Sequence, residues 1–308
     1  MLTKLSVVIP VQNEENLIHD LFERVKINLE FITKSWEIII IDDGSTDSTW
    51  ELIVEQSKIE NRLKGLKLSK NFGQHYAITA GLDASLGDWV VVMDGDLQDR
   101  PEVIPDLFNK AQEGYDIVFV NRINRPEKKS YLMIQYLFYF LLSRLSGIHF
   151  DNRQANYSIL SRRVVESFKK FPETARFYSS TIKWLGFKRS EIFAAHGERL
   201  SGKSSYSIKK RFNLAIDIIL AFSQRPLKFA AYLGASISFI SFLIIIWLFL
   251  KYLIWGFDVV GWTSLIVSVY FLGGTTLTVL GIMGIYIGRI FSEVKRRPLY
   301  LISEKINI

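Results

Sequence analysis

Trp89-Val90-Val91-Val92-Met93-Asp94-Gly95-Asp96-Leu97-Gln98 sets an apolar run of strand length directly against a turn that carries two carboxylates. Valine-rich runs favour a pleated, buried strand. Gly95 permits a tight turn, so both acids can face one cleft at a strand end. In an α/β domain that is where ligands bind, outside the carboxyl ends of the strands. Hard oxygen ligands suit Mg²⁺ or Mn²⁺, which bind through one or two carboxylates together with substrate phosphates. Gln98 supplies a neutral oxygen nearby. A lone Asp-x-Asp is often only a solvated turn; its place after a buried strand favours the metal reading.

Working outward, the first 120 residues repeat the same alternation. Apolar runs at Leu5–Ile9, Trp36–Ile41, Gly65–Leu68, Trp89–Met93 and Asp116–Val120 read as strands. Amphipathic stretches at Glu14–Ile32, Ser48–Glu60, His75–Ser85 and Val103–Gln112 read as helices. Strand and helix in alternation predict an α/β domain on a mainly parallel, buried sheet. A second acidic turn, Asp42-Asp43-Gly44-Ser45-Thr46-Asp47, ends the second strand. Ser45, Thr46 or Asp47 suffices to cap the next helix. Two acids before them exceed that need, and a carboxylate there can accept from a base N–H or a ribose hydroxyl. Pro10-Val11-Gln12-Asn13-Glu14-Glu15 lines the same edge, with Asn13 as an alternative helix cap.

The 308 residues carry a net charge of +7 and 49% hydrophobic residues, at a mean hydropathy of +0.16. That hydrophobicity points to a membrane portion. There is no cysteine, which excludes disulfides, thiolate catalysis and cysteine-held zinc. The N-terminal apolar run is too short for a signal peptide, so the first domain is expected in the cytoplasm.

Phe229–Leu250 and Thr263–Gly288 contain no charged residue. At about 1.5 Å per residue each exceeds the roughly 30 Å hydrocarbon core. Trp247, Trp255 and Trp262 suit an interface. Arg199, Lys203, Lys209, Lys210, Arg211, Arg225 and Lys228 precede the first span against a single Asp217, and Arg289, Lys295, Arg296 and Arg297 follow the second. The positive-inside rule keeps both flanks in the cytoplasm and sends Lys251–Trp262 outside. Nucleic acid is an unlikely partner for charge concentrated beside spans. The resulting division is a catalytic domain at 1–207, a possible interface helix at 130–147, a juxtamembrane amphipathic helix at 208–228, a transmembrane hairpin at 229–288 and a cytoplasmic tail at 289–308. The helix at 130–147 is weighed evenly against packing on the soluble domain; for 208–228 the membrane surface is favoured.

Taken together, Ser6–Val11, Ile41–Asp47, Leu68–His75, Gly87–Asp99, Arg199–Gly202 and Tyr286–Arg289 resemble family-2 glycosyltransferases of the GT-A fold, and more narrowly the bacterial polyisoprenyl-phosphate glycosyltransferases related to dolichol-phosphate mannose synthase. The resemblance implies inverting transfer of a sugar, from a UDP-sugar by preference, to undecaprenyl or another polyisoprenyl phosphate, for cell-envelope glycans at the bacterial inner membrane. It assigns catalytic parts to Asp96, Arg122, Arg199 and Asp151, and the metal to Asp94, Asp96 and Gln98. Substrate and nucleotide contacts fall to Pro10, Val11, Glu14, Asp42, Asp43, Asp94, Lys70, Asn156, Lys203 and Ser204. A homo-oligomer is left open.

The chain departs from that pattern at three places. Gln12 stands where many members have Tyr. Ser205 replaces a usual Lys, with Lys203 just upstream. Asn156 stands where relatives often carry an acid that is a candidate base, leaving Asp151 the nearest acid before it. His75 and His196 titrate near the matched stretches and read as structural or positioning groups. A missing base is tolerable here, because a phosphate monoester, with a second pKa near ~6, is already mostly a dianion at neutral pH. Two other readings are a membrane-tethered sugar-nucleotide sensor and a polysaccharide synthase. The latter is disfavoured by the lack of a Gln-x-x-Arg-Trp element and by only two spans.

Overall fold

A computed structural model of the chain describes residues 3–123, 154–171, 173, 177–195, 197, 223, 225–255 and 261–308. Eight strands form one sheet: β1 Leu5–Val11, β2 Trp36–Asp42, β3 Leu63–Leu68, β4 Trp89–Val92, β5 Ile117–Ile123, β6 Gln154–Ser161, β7 Arg189–Ala195 and β8 Ile302–Ile306. Their order is β7-β5-β6-β4-β1-β2-β3-β8. The centre is parallel, with β1 between β2 and β4, and β3 beyond β2. β6 runs antiparallel to both β4 and β5, while β7 is parallel to β5.

The sheet alternates its side chains between two apolar layers. Leu5, Val7, Ile9 and Val11 pack with α1 (Ile18–Ile32), α2 (Thr49–Ile59) and α4 (Ile104–Gln112). Val8, Ile39 and Ile41 pack with α3 (Gln74–Ala84), α5 (Arg162–Lys169) and α6 (Tyr178–Trp184). Helix α1 buries Ile18, Leu21, Phe22, Val25 and Leu29, one stripe at helical spacing. At the amino ends of the central strands, Glu37 is held by four groups. Its Oε1 accepts from the Ser6 hydroxyl at 2.6 Å and the Leu86 N–H at 2.7 Å. Its Oε2 lies 3.1 Å from Lys4 Nζ and 2.9 Å from Lys64 Nζ.

The expected cytoplasmic tail at 289–308 contains a strand. β8 pairs antiparallel with β3, Leu66 opposite Lys305. Trp50 Nε1 donates to Glu304 Oε2 at 3.0 Å, Asn307 Nδ2 to Leu63 O at 2.9 Å, and Ser303 Oγ to Lys67 O at 3.1 Å. Ile302 and Ile306 reach the two apolar layers. Without β8, the backbone groups along this side of β3 would have no strand partner.

The other compact unit consists of two long helices, α7 (Arg225–Trp255) and α8 (Trp262–Val294). Leu227–Ile244 and Ser268–Val294 are long and apolar enough to cross a membrane, at mean hydropathies of 1.7 and 1.6. Their apolar side chains face outward; Phe239, Trp247, Tyr270 and Leu277 are all more than half exposed. Thr275, Thr276 and Thr278 donate back to carbonyls one turn earlier, which satisfies their hydroxyls inside the helix. Both helices overrun the uncharged spans read from the sequence. Helix 130–147 lies outside the described residues, as does most of 208–228.

Candidate active site

Two loops leave the carboxyl ends of β1 and β2 and are sewn to one another. Asp43 N donates to Val11 O at 2.9 Å. Asn13 Oδ1 accepts from Thr46 N at 2.8 Å, and Asn13 N donates to Ser45 Oγ at 2.9 Å. Glu14 N donates to Thr49 Oγ1 at 2.9 Å, and Glu15 Oε2 accepts from Ser48 N at 3.1 Å. The alternative in which Asn13 caps α1 is not realised. That helix starts at Ile18, and Asn13, at φ 55, spends its side chain on the neighbouring loop. At α2 the N-cap residue is Ser48, without a side-chain cap bond; Asp47, just before it, accepts through Oδ1 from Thr49 N and Thr49 Oγ1.

Asp42 and Asp43 are both buried and do different things. Asp42 Oδ1 accepts from Ser45 N at 2.9 Å and closes its own turn; its Oδ2 is buried without a partner among the described residues. Asp43 grips a third loop, accepting from Phe72 N at 2.8 Å and Gly73 N at 2.9 Å. Burial pushes the Asp43 carboxyl above its ordinary range, against those two N–H bonds. Gly44 sits at φ +68, and a Cβ there would meet Asn71 N at 2.5 Å, so the turn needs glycine on both counts. Lys70 is exposed, with its ammonium 5.1 Å from the centre of the Phe72 ring.

The Asp94-Gly95-Asp96 turn follows β4 and lies against the end of β1. Asp94 Oδ1 accepts from Gln74 Nε2 at 2.6 Å. Asp96 Oδ1 accepts from Gln98 N at 3.1 Å. Asp99 Oδ2 accepts from Asp94 N at 3.2 Å and Asp99 Oδ1 from Arg122 Nη2 at 3.1 Å. The same Arg122 Nη2 is 3.9 Å from Asp94 Oδ2. Burial, then the charges of Asp99 and Asp96, push the Asp94 carboxyl up to about 8, with Arg122 opposing. Among the described residues no three acidic or histidine side chains converge as a ready cation cage. Two carboxylates and a side-chain amide remain available to share a cation with phosphate oxygens, which fits how Mg²⁺ is commonly held.

The structure brings together Pro10, Val11, Glu14, Asp42, Asp43 and Lys70 on one side of this edge, and Asp94, Asp96, Gln98 and Arg122 on the other. Asn156 is half-buried on β6; the register Val92↔Ser158, carried two residues further, sets it level with Asp94. Arg199, Asp151, Lys203, Ser204 and His196 lie outside the described residues. His75 is half-buried, accepts from Tyr178 N through Nδ1 at 3.4 Å, and is pushed down to about 4 by desolvation, which leaves its ring neutral near pH 7. Two residues of the site were not singled out from the sequence, Gln74 and Asp99. Both lie inside the matched stretches, but only the folded contacts give them a task.

The family model of glycosyl transferase family 2 matches residues 6–168. The uncharacterized glycosyltransferase YkcC of Bacillus subtilis (strain 168) is 37% identical over 98% of this chain and 94% of its own length. A bactoprenol glucosyl transferase of Shigella phage SfII is 37% identical over 98% of both chains. Among solved structures, glucosyl-3-phosphoglycerate synthase from Mycobacterium tuberculosis in complex with UDP superposes at a TM-score of 0.51 and 19% identity, over 71% of this chain and 79% of that one. The mannosyltransferase PcManGT from Pyrobaculum calidifontis, with GDP-Man and Mn²⁺, gives 0.51 at 16% identity, over 71% and 63%. At such identities the likeness is one of fold.

Proposed function

This chain belongs to glycosyl transferase family 2, and from that membership we propose that it transfers a sugar from a nucleoside-diphosphate donor, a UDP-sugar by preference, to a polyisoprenyl phosphate, inverting the anomeric carbon. The observation that carries the reading is the shared sheet edge. A loop system built on Asp42 and Asp43 faces an acidic turn, Asp94-Gly95-Asp96, that is flanked by Arg122. The first side suits a nucleoside; the second suits a diphosphate. The bactoprenol glucosyl transferases, near-full-length relatives, support the lipid acceptor.

Asp94 and Asp96, with Gln98, would hold Mg²⁺ or Mn²⁺, which when bound neutralises the leaving diphosphate. Arg122, and with it Arg199 and Lys203, would bring two anions together without mutual repulsion. The acceptor phosphate, dianionic above ~6, needs positioning more than deprotonation. An amide at Asn156, where relatives often carry an acid, accords with that.

The two long helices supply a membrane hairpin in this proposal, with the sheet domain at the cytoplasmic face of the bacterial inner membrane. The basic flanks support the orientation. β8 adds a constraint that two spans meet: it pairs with β3, so β3 and β8 lie on one side of the membrane and the crossings between them are even in number. The test is a panel of labelled UDP- and GDP-sugars incubated with undecaprenyl phosphate and divalent metal. Label in the lipid fraction from one donor is expected. Nucleotide binding without lipid product from any donor would point to the sensor reading instead.

A further inference from the structure

We propose that Asp99 is the positioning residue of the donor site, holding the Arg122 guanidinium toward the diphosphate and closing the turn that aims Asp94 and Asp96. The inference rests on reading this edge as a nucleoside-diphosphate site. Asp99 is only 3% exposed, and a carboxylate so placed must be paired. Its two oxygens are used by different elements: Oδ1 takes Arg122 Nη2 from β5, and Oδ2 takes the N–H of Asp94 at the end of β4. β6 lies between those strands, so one side chain ties together loops that do not adjoin in the sheet.

The turn it closes is under strain. Leu97 is buried and sits at φ 59, the left-handed region that any side chain with a Cβ disfavours. It is held from both sides, by Asp99 on Asp94 N and by Asp96 on Gln98 N. Arg122 meanwhile is anchored by one corner. Its Nη2 meets Asp99, while its buried Nε has no acceptor among the described residues. A guanidinium offers five N–H donors, so most of this fork remains for a further anion. Asp99 also separates two tasks. Buried and already paired with a guanidinium, it leaves the cation to the more exposed Asp94 and Asp96.

The measurement is titration calorimetry with Mn²⁺, comparing whichever of UDP and GDP the native protein binds with its nucleoside monophosphate. Asp99→Asn keeps the shape but sets a donor against one of the two N–H groups. Affinity for the diphosphate should fall about ten- to a hundredfold, while that for the monophosphate changes by less than about threefold. Arg122→Gln should give the same selective loss, and adding Asp99→Asn to it should cost less than Asp99→Asn costs alone, the remainder being its hold on the turn. An unchanged diphosphate affinity in Asp99→Asn, an equal loss for both nucleotides, or additive losses in the double variant would overturn the proposal. Should Asp99→Asn fail to fold, Arg122→Gln carries the test, and equal losses there overturn it. A native protein that binds neither diphosphate sinks the donor reading and this inference with it; a wrong pattern among the variants sinks only the inference.

Discussion

A methyl group built on Gly95 would lie 2.5 Å from Cγ1 of Val11. The acidic turn after β4 therefore rests on the last residue of β1 with no room for a side chain, and Pro10 O, at 3.1 Å, closes the other side. Gly95→Ala should push the turn outward. A misplacement near 1 Å can cost about a hundredfold in rate, so transfer should fall by that order. Val11→Ala in the same chain should restore part of it, because the nearest obstacle is gone. Rates and melting curves for the two variants decide the matter: a Gly95→Ala protein of native rate means that the turn has slack.

Asp96→Asn should abolish transfer while the melting temperature stays near native, since among the described residues Asp96 is bonded only within its own turn. EDTA should do the same to the native enzyme, reversibly on adding Mg²⁺ or Mn²⁺. Full activity in excess chelator removes the metal from the account.

Glu37 sets one limit on acid stability. Burial raises its carboxyl, but the Ser6 hydroxyl, the Leu86 N–H and Lys64 together hold it below the ordinary 4.5. A depressed carboxyl contributes stability that is complete above that ordinary value and is lost as pH falls through the lower folded value. Glu37→Gln should therefore destabilise by about 2–3 kcal/mol at neutral pH. The gap from native should narrow in acid. Denaturant melts at pH 7 and pH 3.5 check it; a gap constant across pH contradicts the linkage.

The hairpin orientation can be tested with unusual clarity, because the chain has no cysteine. In Asp258→Cys, an impermeant maleimide added to intact cells should label the protein. Labelling only after permeabilisation reverses the topology.

The acid limb of the rate should follow the acceptor phosphate, falling as pH drops below ~6. Asp151→Asn should then keep substantial activity, and Arg199→Ala should lose more. A general base is worth about 10²–10⁴-fold. A thousandfold loss of kcat in Asp151→Asn, at unchanged donor binding, would identify Asp151 as the base.

The central strands and the helices between them were legible because buried parallel strands spell themselves in Val and Ile. Leu5, Trp36 and Trp89 begin strands in both the sequence and the fold. β6, β7 and β8 escaped notice. β7 alternates exposed and half-buried residues from Arg189, and β8 reads Ile-Ser-Glu-Lys-Ile, so neither offers a continuous apolar run. The site was half legible. The two acidic turns stand out by spacing, whereas the task of Asp99 depends on a partner 23 residues away, and that of Asp43 on N–H groups 29 and 30 residues away. Backbone donors leave no mark in a sequence. Asn13 left two readings open because a residue that suits a helix cap also suits a left-handed turn.

The pairing of β8 with β3 also fixes an order of events in the life of the chain. Ser303 and Lys67, hydrogen-bonded in the finished sheet, are 236 residues apart. At about 5–20 residues per second, the ribosome leaves the rim of β3 bare for roughly ten to fifty seconds. During that wait the sheet domain emerges first and the two apolar helices after it. The edge can be sealed only once both have been delivered to wherever they settle, so completing the sheet records that the hairpin has been made. A nascent chain halted before β8 presents an open strand edge, the surface on which neighbouring copies stack and which chaperones and proteases inspect.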